Sequence, residues 1–227
     1  MEADTKKIVI WLLGSNGSGK TTQCKNILDY FNGLPKNKPT PELKTKYVDS
    51  VMKSCYTVYR GSGVAVLGVL GKNQCTGLDS VYSKIGADGV VESLKNALND
   101  KEVQIILVEC VFGTFSWYEN WVKAKLRDKF KLIFIHLEMS LWENYRRIQW
   151  RRAKKLGVTN WKDIELEDTV YKNVGNKNRE TRVIYQKLAG QHEKSKVKLA
   201  DIAVQFKAMA EEESLSFSII TFIENNI

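Results

Sequence analysis

Cysteine, proline and long apolar runs are all scarce in this chain of 227 residues, and each scarcity excludes something. The four cysteines (Cys24, Cys55, Cys75, Cys110) stand apart, with no Cys-x-x-Cys spacing. Neither a zinc site nor a disulfide framework is suggested, and a reducing, cytoplasmic setting fits best. All three prolines fall within residues 34–41, a polar stretch that reads as a surface loop and not as a linker between domains. No apolar run is long enough to cross a bilayer; the longest, residues 8–13 and 103–111, are strand-sized. The opening Met1-Glu-Ala-Asp-Thr-Lys-Lys lacks the basic-then-apolar layout of a signal peptide. Internal repeats and low-complexity tracts are absent too.

What is present is ordinary in bulk and unusual in charge. An apolar fraction of 43% and a charged fraction of 27% suit a globular protein, and the length suits one α/β domain spanning 1–227, with its core over about 7–223. The net charge of +9 has two readings: attraction to a polyanionic partner, or surplus lysine that keeps the protein soluble.

Patterning along the chain predicts strands alternating with helices. A strand over residues 7–13 stops at Gly14, and a helix over 20–31 ends at Asn32-Gly33. Residues 56–59 and 64–67 read as a hairpin across Arg60-Gly-Ser-Gly63. Glycine-punctuated residues 68–77 follow, then 79–85 and a helix over 89–99. The continuous apolar run at 103–108 suits a parallel strand buried on both faces, as does 132–137. Helices are predicted over 117–130, 141–156, 179–188 and 194–213, with an acidic connection at 160–168 and a last strand at 217–223. In the helix over 194–213, Leu199, Ile202, Ala203, Phe206 and Ala210 form one apolar stripe. This alternation implies a mainly parallel sheet covered by helices.

Gly14-Ser15-Asn16-Gly17-Ser18-Gly19-Lys20-Thr21 matches the phosphate-loop pattern G-x-x-x-x-G-K-[ST] in full, between an apolar strand and a helix. Its glycines let successive backbone N–H groups point inward at phosphate oxygens, and the helix N-terminus adds partial positive charge there. The pattern assigns Lys20 to the β- and γ-phosphates of ATP, Thr21 to Mg²⁺, and Thr22 to the neighbourhood of the α-phosphate. A glycosylation sequon at Asn16-Gly17-Ser18 is set aside because it lies inside this loop. Glu109, directly after residues 105–108, is the candidate second carboxylate, holding the magnesium through a water or orienting the attacking hydroxyl. The competing reading is a strand-terminal acid facing solvent. Cys110 beside it reads as packing.

The helix over 141–156 carries Arg146, Arg147, Arg151 and Arg152, then Lys154 and Lys155, with Arg147 and Arg151 one turn apart. Arginines there suit a lid, over about 141–168, that neutralises the transferring group and excludes water. A solvated basic face is the alternative. No Asn-Lys-x-Asp run selects guanine, and the chain lacks the bulk of a motor ATPase, so a kinase reading leads. The acceptor side is then expected around Cys75-Thr-Gly-Leu-Asp79-Ser80, near Tyr82, with Asp79 as the base that takes the acceptor hydroxyl's proton. A helix N-cap is the competing role for Asp79 or Ser80. Arg60 and Lys72 flank the segment and suit a substrate phosphate or an exposed backbone. Tyr56, Tyr59, Tyr82 and Trp150 read either as stacking groups for a base or as core and rim residues.

The phosphate loop, Gly77-Leu-Asp79-Ser80, the strand ending in Glu109, the arginine-rich helix, and Asn176-Lys177-x-Arg179 followed by Arg182 recur together in this order. The chain thereby resembles, from about residue 7 to 190, the bacteriophage P-loop kinases that phosphorylate 5-hydroxymethyluracil within DNA. The resemblance implies a three-layer fold like that of nucleotide kinases, ATP as donor, and the base's hydroxymethyl group as acceptor. It also implies a catalytic role for Asp79 and phosphate binding by Arg147 and Arg151. One departure is Cys110, where a glycine is expected after the acid. A DNA partner agrees with the positive charge, because neutralised phosphates release counterions, and the hydroxymethyl group, lying in the major groove, is reached either within that groove or by flipping the nucleotide out. Two other functions remain open at this point: a kinase for free nucleosides or nucleoside monophosphates, and a nucleotide-binding regulatory module that phosphorylates nothing.

Overall fold

The computed structural model describes residues 6–31, 44–47, 55–59, 63–68, 70, 77–110, 114–164, 168–192, 199–208 and 212–227. Its centre is a seven-stranded sheet whose elements follow the chain as β1 (Lys7–Leu13), α1 (Lys20–Phe31), β2 (Lys44–Tyr47), β3 (Cys55–Tyr59), β4 (Val64–Leu67), α2 (Gly77–Asn99), β5 (Ile105–Cys110), α3 (Thr114–Lys123), β6 (Phe130–Glu138), α4 (Leu141–Leu156), α5 (Asp168–Leu188), β7 (Ile202–Lys207) and α6 (Glu212–Glu224). The spatial order is β2-β3-β4-β5-β1-β6-β7. Strands β4, β5, β1, β6 and β7 run parallel, while β2 and β3 extend one edge as antiparallel neighbours.

The parallel strands are apolar on both faces, and two cores result. Val9, Trp11 and Leu13 of β1 pack with residues of α2, α3 and α5, while Ile10 and Leu12 pack with residues of α1 and α6. This is a three-layer α/β fold of the P-loop kind. Trp11 anchors the first core, fully buried, its ring centroid 4.7 Å from that of Trp121 and 6.0 Å from that of Phe134. On the opposite face Ser216 of α6 accepts a hydrogen bond from Asn26 at 2.7 Å and donates one to Gln23 at 2.9 Å, tying α6 to α1.

β1, α1 and α4 have the bounds expected of them, and the hairpin is present. Elsewhere the structure corrects the sequence reading. The helix expected at 89–99 begins at Gly77 and is interrupted at Gly86 (φ 71°, ψ −162°), so residues 79–85 are helical as well. The helix expected over 117–130 ends at Lys123. Lys125 takes a left-handed φ of 55° and a single 3-10 turn spans Arg127–Lys129. Arg127 fixes that turn, donating to the carbonyls of Phe130 (3.0 Å) and Leu199 (3.1 Å) and pairing with Asp201 (2.8 Å). The helix expected over 179–188 starts earlier, at Asp168, and the connection at 160–168 holds a 3-10 turn, Trp161–Asp163.

The largest correction is at the C-terminal end, where the predicted helix (194–213) and strand (217–223) are exchanged. Residues 202–207 pair with β6 from Ile133↔Ile202 to Glu138↔Lys207. Ile202, Val204 and Phe206 pack on the α1–α6 side while Ala203 packs on the other, which is the period of a strand. The helical stripe is a coincidence of spacing within that alternation. In α6, Ile219 and Ile223 are fully buried one turn apart, with Leu215, Ile220 and Phe222 beside them, so its β-branched composition is overridden by a helical burial pattern.

Candidate active site

The register of the sheet assembles the site. Leu12 of β1 lies beside Glu109 of β5, and Leu13 lies between Cys110 of β5 and His136 of β6. The chain leaves β1 at Gly14, and glycine is required there: a Cβ would stand 2.3 Å from Ser18 Oγ and 3.0 Å from the Leu137 carbonyl. Gly17 and Gly19 take left-handed φ values of 89° and 90°, curling the loop before α1 opens at Lys20.

Lys20 is 4% exposed, its Nζ donating to the carbonyls of Gly14 (2.8 Å) and Ser15 (3.0 Å). Burial lowers its pKa, while the negative charges of Glu109 and Asp79 oppose the shift and Arg151 adds to it. Lys20, Glu109, Asp79 and Arg151 therefore belong to one electrostatic neighbourhood. Thr21 Oγ1 donates to Glu109 Oε1 at 3.2 Å. Glu109 is buried near the end of β5, so the reading of a strand-terminal acid facing solvent does not hold. Cys110 is buried and accepts from Trp11 Nε1 at 3.1 Å, a packing contact.

Two glycines bring the start of α2 against this acid. A Cβ on Gly77 (φ +57°) would stand 2.2 Å from the Glu109 carbonyl oxygen and 2.7 Å from its Oε2. A Cβ on Gly68 (φ +85°) would stand 1.8 Å from the Gly77 carbonyl oxygen. Asp79 sits half-buried in the first turn of α2. Ser80 is buried and donates to the Gly77 carbonyl at 2.6 Å, so its hydroxyl serves that turn. Tyr82 is exposed, 5.7 Å from the Trp117 ring. Arg60, Lys72 and Cys75 lie outside the described residues.

Helix α4 closes the other side. Ser140 caps it, accepting from Glu143 N at 3.2 Å. Glu143 holds two arginines, with 2.8 Å from Arg146 Nε and 2.8 Å from Arg147 Nε. The hydrogen bond from Arg146, with that from Arg147, overcomes partial desolvation and draws the Glu143 carboxyl down to about 2. Arg147 Nη1 also donates to the Gly17 carbonyl at 3.4 Å, and Asn144 Nδ2 donates to the Asn16 carbonyl. Arg151, one turn on, is exposed.

Sequence reasoning missed Glu143 and Asn144. Ser140-x-x-Glu143 has the spacing of a helix-start signature that could have marked the first; nothing local marks the second. Also unforeseen is a cavity of about 510 Å³ lined by Glu138, Met139, Ser140, Glu143, Arg182, Lys207 and Ala208, at the ends of β6 and β7. Arg182 (3.0 Å) and Gln205 (2.5 Å) both donate to the Glu138 carboxylate beside it.

A hydroxyl and a carboxylate oxygen within 3.2 Å of one another are the hard donors that Mg²⁺ takes alongside phosphates and water, so Thr21 and Glu109 fit that ion. Among the described residues no group of three or more His, Cys, Asp or Glu side chains could hold a metal by itself, and no helix is long and apolar enough to cross a membrane.

No protein-family model matches the chain, and no curated protein matches it. Among solved structures it is similar to a deoxyadenosine kinase from M. mycoides with bound dCTP, at 14% identity and a TM-score of 0.39, covering 97% of this chain and 100% of that one. It is also similar to the protein APE1195, at 18% identity and a TM-score of 0.34, covering 79% of this chain and 97% of that one. Both likenesses are distant and concern the course of the chain alone.

Proposed function

We propose that the chain is an ATP-dependent kinase whose acceptor is the hydroxymethyl group of 5-hydroxymethyluracil in DNA. The observation that carries the kinase reading is the convergence at the phosphate loop. Lys20, Thr21 and Glu109 meet at its inner side, Asp79 acts on the same lysine, and α4 brings Arg147 to the loop's outer side.

The roles follow from that arrangement. Loop N–H groups bind the β- and γ-phosphate oxygens, and Lys20 exchanges its two carbonyl partners for them. Thr21 and Glu109 would hold the magnesium, which would neutralise charge on those oxygens. Asp79 accepts the proton of the acceptor hydroxyl as its oxygen bonds to the γ-phosphorus. The bond from that phosphorus to the β–γ bridging oxygen breaks, and ADP leaves. Arg147 and Arg151 stabilise the charge spread over the transferring group.

Two features support a polymer acceptor beside the resemblance already drawn. The first is the net charge of +9. The second is on α4, where Trp142, Arg146, Trp150 and Lys154 follow one another at four-residue steps, about 6 Å apart along the axis. Trp142 is 61% exposed and Trp150 47%, and Trp142 is braced by Trp161 at 5.9 Å. Exposed aromatics interleaved with cations suit stacked bases and their phosphates, each stacked base contributing about 1–3 kcal/mol.

The test offers labelled ATP with DNA containing 5-hydroxymethyluracil, with unmodified DNA, and with free deoxynucleosides and deoxynucleotides. Label entering the modified DNA, and none with Lys20→Ala, is the expected result. Label entering only free nucleosides or nucleotides would replace the acceptor, and tight ATP binding without transfer to any of them would overturn the kinase.

A further inference from the structure

We infer that Asn144 is a positioning residue that holds the phosphate loop in its anion-binding shape from outside. The inference rests on reading the loop as the ATP site. For successive N–H groups of such a loop to face a phosphate, carbonyls of the same peptides must face away and take donors from elsewhere. At Asn16 and Gly17 those donors come from α4. Asn144 Nδ2 serves the Asn16 carbonyl, and Arg147 Nη1 serves that of Gly17. The contact is close enough to constrain the loop's own sequence, since a Cβ on Gly17 would meet Asn144 Nδ2 at 3.3 Å and Arg147 Cβ at 3.5 Å.

Stability alone gives a poor reason for an asparagine here. Asn144 is 0% exposed, and its Oδ1 is buried with no hydrogen-bond partner. Half of the amide's capacity is therefore desolvated without return, a cost that an apolar side chain of similar size would not carry. The return lies in the other half, the bond to Asn16. It is made to the backbone of the loop and not within α4, so it links the lid helix to the geometry of the bound phosphates. Arg147 reaches the same loop but is shared with Glu143 and is partly exposed, which leaves Asn144 as the fixed point and Arg147 as the adjustable one.

Asn144→Leu keeps the branched outline of the side chain and removes the donor. The folded variant is expected to bind ATP about tenfold more weakly, measured by calorimetry. KM for ATP rises by a similar factor and KM for the acceptor stays unchanged. Asn144→Asp gives a second readout that packing cannot mimic. Its carboxylate opposes the Asn16 carbonyl at neutral pH, but a protonated carboxyl donates to it. The affinity ratio of wild type to the Asn144→Asp variant should therefore shrink as pH falls from 8 to 5. Unchanged ATP affinity in a folded Asn144→Leu protein, or a pH-independent ratio for Asn144→Asp, would overturn the inference. Wild-type protein that fails to bind ATP would instead overturn the donor-site reading on which it stands.

Discussion

The two walls of the candidate site, one at α2 and one at α4, are built in opposite ways. On the α2 side, backbone meets backbone: Gly68 lies against Gly77, and Gly77 against Glu109, at distances that leave no room for a single methyl group. On the α4 side, the charged contacts are made by side-chain tips, with Glu143 holding Arg146 and Arg147, and Arg147 reaching the loop. A wall of the first kind fixes whatever it carries, here Asp79 and Glu109. A wall of the second kind can change partners when charge arrives, because rotating a side chain is easy and shifting a packed backbone is not. Asp79 and Glu109, the proposed acceptor base and metal carboxylate, thus sit on the rigid wall, and the arginines on the adjustable one.

Breaking the rigid wall should have the largest effect. Gly77→Ala places a Cβ into Glu109 at a left-handed φ and is expected to cost more than about 4 kcal/mol or prevent folding, read from the denaturant midpoint. Asp79→Asn leaves the wall standing and removes the base. Turnover should fall at least about a hundredfold with ATP affinity nearly intact, and an unchanged rate would return Asp79 to a helix-start role. Loosening the adjustable wall is milder. Glu143→Gln frees Arg146 and Arg147 from a charged partner, and kcat/KM is expected to fall about tenfold, as for the loss of a modest transition-state contact.

The smallest effect concerns acid. The Glu143 carboxyl is depressed from 4.5 to about 2, so its contribution to stability is complete above about 4.5 and is lost as pH falls through about 2. The melting-temperature difference between wild type and Glu143→Gln should be flat from pH 8 to 5 and vanish below. A difference that varied between pH 8 and 5 would point to another group.

The contrast between the walls also explains what could be read in advance. Strand β1, the loop and α1 are local features: an apolar run, three glycines and a helix start within a short span, each with its own signature. The rigid wall was half legible, because its glycines were visible as punctuation but not as points of contact. The adjustable wall was legible only as a basic helix. Asn144 meets Asn16 across 128 positions of chain, and an asparagine in a helix announces nothing by itself. At the C-terminal end, local periodicity misled. The stripe formed by Leu199, Ile202, Ala203 and Phe206 is compatible with a helix, and only the open edge of β6 selects the strand.

Lys20 spans the mouth of the loop with its ammonium on two carbonyls. The loop thus carries an internal cation already bonded to two of its own carbonyls, and an anion reaching it competes with the protein's own oxygens. A monovalent anion offers little to draw the lysine away, whereas the clustered oxygens of a triphosphate replace both carbonyls at once. In the proposed kinase, selection at this loop is by valence before it is by shape, with the lysine as the threshold for an arriving ligand.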